Sequence, residues 1–181
     1  MKCLWVWALV AGFVANAWGQ GTRSAVIREF PEYRVYPGTL DQDNFPVSGA
    51  RLCTTEAKPH CFALDRHETD ENDRFYFGLR ATSKRIKLSG GGSVVLFNAN
   101  CGGGSGSSDR YVLLRSESDG RFKNLLPPIV VSNQADVAIW DLPTVSAMPI
   151  FLTADFLWEG MEAHYSNHFF EVQIYVYDCC D

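Results

Sequence analysis

The sequence predicts an all-β fold: a single antiparallel β-sandwich, or partly closed barrel, with an irregular, disulfide-stapled N-terminal segment. Three observations carry that prediction. Short runs rich in Val, Ile, Tyr and Phe recur, with Gly, Pro, Ser and Asn between them, which is the punctuation of strands and turns. Beyond the first nineteen residues, no stretch holds an i, i+3, i+4, i+7 apolar pattern through ten residues, so amphipathic helices are not expected. Phe169–Tyr177 alternates at period two, the mark of a half-buried strand.

The first nineteen residues read as a signal peptide. Lys2 supplies a positive charge, Leu4–Val14 is an apolar run broken only by Gly12, and Ala17-Trp18-Gly19 sets small residues ahead of a cut before Gln20. That order of features marks export. The run is shorter than the ~20 apolar residues a spanning helix needs. Residues 20–181 then form one secreted or periplasmic β domain of ordinary size, with a regular core over 75–178 behind an irregular segment over 37–74.

Charge excludes some partners. The chain carries 16 Lys and Arg against 21 Asp and Glu, a net charge of −5, and losing Lys2 with the leader makes it more acidic. Nucleic acid and anionic membranes both call for clustered basic residues, so neither is expected as a partner.

Along the chain, Phe30–Tyr36 alternates aromatic or apolar residues with charged ones, and Pro37-Gly38 turns it. Asp41–Asp73 shows no sustained period and ends in the acidic run His67–Asp73, which lacks the ligand spacing of an EF-hand loop. From Phe75 the pattern becomes regular. Phe75–Leu79 and Lys84–Leu88 are strands, the second leading to Gly90-Gly91-Gly92. Val94–Asn98 and Tyr111–Arg115 make a hairpin around a Gly- and Ser-rich tip, and later strands pair outward from it. Ser118-Asp119-Gly120 is a turn before Arg121–Leu126. Ile129–Val131 and Val137–Trp140 are short strands. Ile150–Trp158 is apolar on both faces for most of its length, which suits a central strand. In the last strand Phe170, Val172, Ile174 and Val176 form the core face. Glu171, Gln173, Tyr175 and Tyr177 form the face toward water or a partner. The whole makes roughly seven to ten strands.

Cysteines fit the exported setting. Cys3 falls within the leader. Of the other five, Cys53 and Cys61 close a short loop around Pro59, and Cys101 is expected to bond Cys179 or Cys180. Five is an odd number, so one thiol is left over or bonds another chain. The adjacent Cys179-Cys180 can instead form a strained ring. No CxxC spacing supports zinc, and neither a metal nor another cofactor is expected.

Chemistry-bearing motifs are weak. The tip Cys101–Asp109 lacks the Gly-Lys-Ser/Thr of a P-loop and the last glycine of a nucleophile elbow. Its Ser105 and Ser107 are placed as ligand contacts. His164 and His168 would share a helix face, but along a strand at ~3.3 Å per residue they stand roughly 13 Å apart, too far for one zinc ion. Asp155, with Glu159, Glu162 and His164, offers carboxylates and an imidazole of the kind hydrolases use; Asp155, Glu162 and His164 are the weak catalytic candidates. Tyr175 and Tyr177 are the aromatic binding candidates, since an amphipathic ring stacks on a sugar or anchors a protein.

The function these features support is a non-catalytic binding or interaction module, its ligand a protein or a glycan. The alternative is a secreted hydrolase or metal-binding protein using the Asp155–His168 region.

Overall fold

The computed structural model describes residues 28–44, 46–64, 80–100, 108–126, 130–133, 137–157 and 169–177. Among them every regular element is a strand: β1 (Tyr33–Tyr36), β2 (Thr39–Leu40), β3 (Pro46–Ser48), β4 (Ala50–Thr54), β5 (Cys61–Leu64), β6 (Arg80–Lys87), β7 (Ser93–Asn100), β8 (Ser108–Ser116), β9 (Phe122–Asn124), β10 (Val130–Asn133), β11 (Val137–Trp140), β12 (Ile150–Leu157) and β13 (Phe169–Tyr175). All pairings are antiparallel.

The central sheet has the order β10-β8-β7-β6, with β9 also paired to β8. Its heart is the expected hairpin, β7 with β8, in register from Val95↔Leu114 to Asn100↔Asp109. β6 joins β7 through a turn in which the Leu88 amide donates to the Gly92 carbonyl at 3.1 Å. Gly91 and Gly92 there hold φ of 93° and 80°, a left-handed region that glycine enters without strain.

Two further sheets, β1-β4-β5 and β11-β12-β13, flank the central one. Two apolar clusters separate the three layers. The first joins Val95, Phe97 and Ala99 of β7 and Val112 and Leu114 of β8 to Ala50, Leu52 and Leu64 of the first outer sheet. The second joins Val94 of β7 and Tyr111 and Leu113 of β8 to Phe151 of β12, with Val137, Ile139, Tyr175 and Tyr177 packed around it. Successive residues of β7 therefore bury themselves on opposite faces, and both faces meet a layer. Each fully buried large side chain contributes about 1.5–3 kcal/mol by leaving water. The expected all-antiparallel β fold is present. The two clusters describe a central sheet with a core on each side, not one core between a single pair of sheets.

The segment ahead of β1 is clasped to the central sheet. The buried hydroxyl of Ser93 accepts from the Phe30 amide at 2.8 Å and donates to Glu29 Oε1 at 2.8 Å. Arg85 donates to the Pro31 carbonyl at 2.8 Å, pairs with Glu29 at 3.5 Å and lies 5.4 Å over the Tyr33 ring. Phe30, 1% exposed, stacks on Phe122 of β9 at 4.9 Å.

Two expectations change here. The segment 37–74 is not irregular throughout, because β4 and β5 lie within it and send Ala50, Leu52 and Leu64 into the first core. The Cys53–Cys61 disulfide, expected to staple an irregular segment, instead links opposite residues of that hairpin at a Cα separation of 4.1 Å. The flanking pair is the one that carries the ladder bond, Thr54 amide to His60 carbonyl at 2.9 Å. Cys53 and Cys61 are thus a non-hydrogen-bonded pair, where opposite side chains approach closest.

The second change concerns β13, where Tyr175 and Tyr177 are the covered residues and Val172, Ile174 and Val176 are exposed, while Glu171 and Gln173 are exposed as expected. Val172, Ile174 and Val176 are 58%, 60% and 57% exposed. Tyr175 and Tyr177 are half-buried against the second core. Period two separates the two faces of a strand but does not say which of them meets another layer.

Candidate functional site

The outward face of β11-β12-β13 is built from alternate residues on three paired strands. The register sets Ala138 of β11 beside Leu152 of β12, and Leu152 beside Ile174 of β13. Neighbouring rows pair Trp140 with Ile150, and Ala154 with Val172. With Val176 just beyond β13, every described position on this face is apolar. β12 lies between two partners, so its Ile150 and Leu152 are buried at 6% and 8% exposure. The flanking strands have no such cover, and Trp140 is 50% exposed. The connection after β11 also exposes Leu142 and Val145. Trp140, Leu142, Val145, Val172, Ile174 and Val176 are thus large apolar side chains left exposed on or beside this layer.

The opposite face of the same sheet explains why these residues point outward. Tyr175 and Phe151 rings meet at 6.0 Å, and Phe151 meets Tyr111 of the central sheet at 5.9 Å. The Tyr177 ring receives two cations from the central sheet, Arg115 at 5.8 Å and Lys123 at 5.3 Å. Arg115 and Lys123 are cross-strand partners on β8 and β9. An amphipathic ring against that face gains aromatic and cation–π contacts that an aliphatic side chain cannot make. The tyrosines therefore take the inward face and leave Val172, Ile174 and Val176 outside.

The other candidate residues divide into placed and unplaced. Tyr175 and Tyr177 are on β13 and just after it, facing the second core. Tyr175 donates its hydroxyl to Gln173 on the same strand. Asp155 is on β12, opposite Glu171 of β13 in the ladder. Glu162, His164 and His168 lie outside the described residues, as do Ser105 and Ser107 of the glycine tip and Cys101, Cys179 and Cys180. The leader, the acidic run His67–Asp73 and the expected strand Phe75–Leu79 lie outside them too. Among the described residues, no group of three His, Cys, Asp or Glu is placed to hold a metal ion. No helix among them is long and apolar enough to cross a membrane.

Sequence reasoning missed Trp140, Val172, Ile174 and Val176 as surface residues. One signal did point to them. Ile150–Leu157 is apolar on both faces, so the neighbouring strands must offer apolar side chains on both sides of it, and only one side faces the central sheet.

No protein-family model, curated protein or solved structure matches the chain.

Proposed function

We propose that the protein is an exported, non-catalytic interaction module whose partner is another protein, docked on the outward face of β11-β12-β13. The observation that carries this reading is the unbroken apolar composition of that face, with Val172, Ile174 and Val176 each more than half exposed. Valine and isoleucine offer no hydrogen bonds to orient a sugar and no flat ring to stack on one. They suit the dehydrated centre of a protein interface, with Trp140 as its aromatic anchor. Export accords with the signal-like leader and with the Cys53–Cys61 disulfide, a bond that persists in oxidising compartments.

The test places a photoreactive benzophenone at Ile174 and, as a control, at the exposed Lys84 of β6, in protein secreted by its native cells. A discrete protein adduct from position 174, absent from position 84 and lost when Val172→Asp is added, is the expected result. Adducts with a second copy alone would make the partner this chain itself. Equal adducts from both positions, or none from either, would overturn the assignment of the face.

A further inference from the structure

The opposite outer layer carries a different surface. On the outward face of β1-β4-β5, a shallow dish of about 430 Å³ opens between the strands and the β4–β5 turn. Its lining includes Arg34, Arg51, Tyr36, Glu56, Pro59 and the Cys53–Cys61 disulfide. Arg34 pairs with Cys53 and Tyr36 with Arg51 across the β1–β4 ladder. The two arginines are thus diagonal neighbours, about 7–8 Å apart at the backbone.

Three features set this dish apart from an ordinary charged surface. First, both arginines are exposed, and among the described residues neither has a carboxylate within ion-pair distance. Arg85, Arg115 and Arg121 all do. Second, the Arg51 guanidinium carbon lies 5.1 Å from the centroid of the Tyr36 ring, within cation–π range. That contact holds the guanidinium beside the ring, and a guanidinium can grip a planar carboxylate with two bonds. Third, the dish combines those cations with apolar surface from Tyr36, Pro59 and the disulfide, and with one carboxylate, Glu56.

We infer that the dish binds a carboxylate-bearing sugar, a hexuronic acid unit. Each part of such a ligand meets a matching group. The carboxylate takes the guanidinium edges of Arg51 and Arg34. The C–H face of the pyranose ring lies on Tyr36 and Pro59. Glu56 accepts hydrogens from ring hydroxyls. An inorganic anion would use the arginines but would leave Tyr36, Pro59 and Glu56 without a partner. A neutral sugar would leave the arginines unused. This site is independent of the apolar face proposed above and lies on the other side of the central sheet.

The test titrates the full secreted chain with galacturonate, galactose, acetate and inorganic phosphate, following amide resonances by NMR. Galacturonate should shift residues 34–36 and 51–56, with galactose, acetate and phosphate each at least about tenfold weaker. Arg51→Lys keeps the charge but loses the fork. It should weaken galacturonate about tenfold or more, the worth of a charged hydrogen bond, at an unchanged melting temperature. Glu56→Gln should bring galacturonate down toward acetate. Phosphate or galactose binding as tightly as galacturonate would overturn the proposal. So would an Arg51→Lys protein that binds like the parent, or shifts confined to other residues.

Discussion

The two outer layers make an instructive pair. Each is a three-stranded antiparallel sheet, and each buries one face against the central sheet. Both inward faces send aliphatic and aromatic side chains into a core, with a buried threonine in each, Thr54 and Thr153. Their outward faces differ. The first carries Arg34, Arg51 and a disulfide around a dish. The second carries Trp140, Val172, Ile174 and Val176 with no described charge among them. The inward faces answer to packing, which any apolar set of the right volume satisfies. The outward faces are released from that demand, so their differences report what each surface meets.

The sharpest way to break this contrast is to cut a side chain that the central sheet buries. Phe97 is fully buried on β7. Phe97→Ala should cost about 3–5 kcal/mol in urea unfolding, the range for deleting a core ring. Val172→Ala on the outward face should change stability by less than about 0.5 kcal/mol. Similar losses at both sites would mean that the outer face is covered after all.

The next effect concerns the first outer layer. Replacing Cys53 and Cys61 together by Ser removes a bridge with a sequence separation of 8. Loop-closure entropy puts its worth at about 2–3 kcal/mol. Denaturant unfolding should show that loss in the parent on reduction and in the double variant from the start, with no further change when reductant is added to the variant.

A smaller effect comes from the inward face of the second layer. Thr153 is 1% exposed, and among the described residues its hydroxyl has no hydrogen-bond partner. A buried unsatisfied hydroxyl carries its full desolvation cost. Thr153→Val should therefore leave stability unchanged or raise it by up to about 1 kcal/mol. A loss beyond that by calorimetry would show that the hydroxyl is satisfied in solution.

The smallest effect lies at the turn between β8 and β9. The Arg121 backbone amide, and then its side chain, donate to Asp119 and hold its carboxyl below the usual aspartate value. A lowered folded pKa stabilises the fold above the unfolded pKa and loses that contribution as pH falls through the folded one. Carbon-detected NMR should place the Asp119 midpoint below that of an unfolded aspartate. Arg121→Ala should move it partly back up, the backbone donor remaining.

Much of this architecture was legible in the residues. The β7–β8 hairpin follows from two Val- and Tyr-rich runs around a glycine tip. The turn at Ser118-Asp119-Gly120 follows from its residue types, and Gly120 there has φ of 84°. The Cys53–Cys61 bond follows from the short spacing of the two cysteines along the chain. β4 and β5 were not legible, because five and four residues are too few for a period to stand out among Pro, Gly and charged neighbours. The orientation of β13 was not legible for a different reason. Its alternation is plain, but the choice between faces depends on Phe151, Arg115 and Lys123, which reach Tyr175 and Tyr177 from distant parts of the chain. The arginine dish was hidden likewise, since Arg34 and Arg51 become neighbours only through the β1–β4 register.

The orientation of β13 underlies the apolar outward face, and one paired measurement decides it. Tyr175→Asp and Ile174→Asp place the same charge on adjacent residues of one strand. Thermal unfolding should show a large drop in melting temperature for Tyr175→Asp, which sets a carboxylate against the second core, and almost none for Ile174→Asp. The opposite order, with Ile174→Asp unfolding the protein and Tyr175→Asp leaving it intact, would turn the strand over and contradict the account.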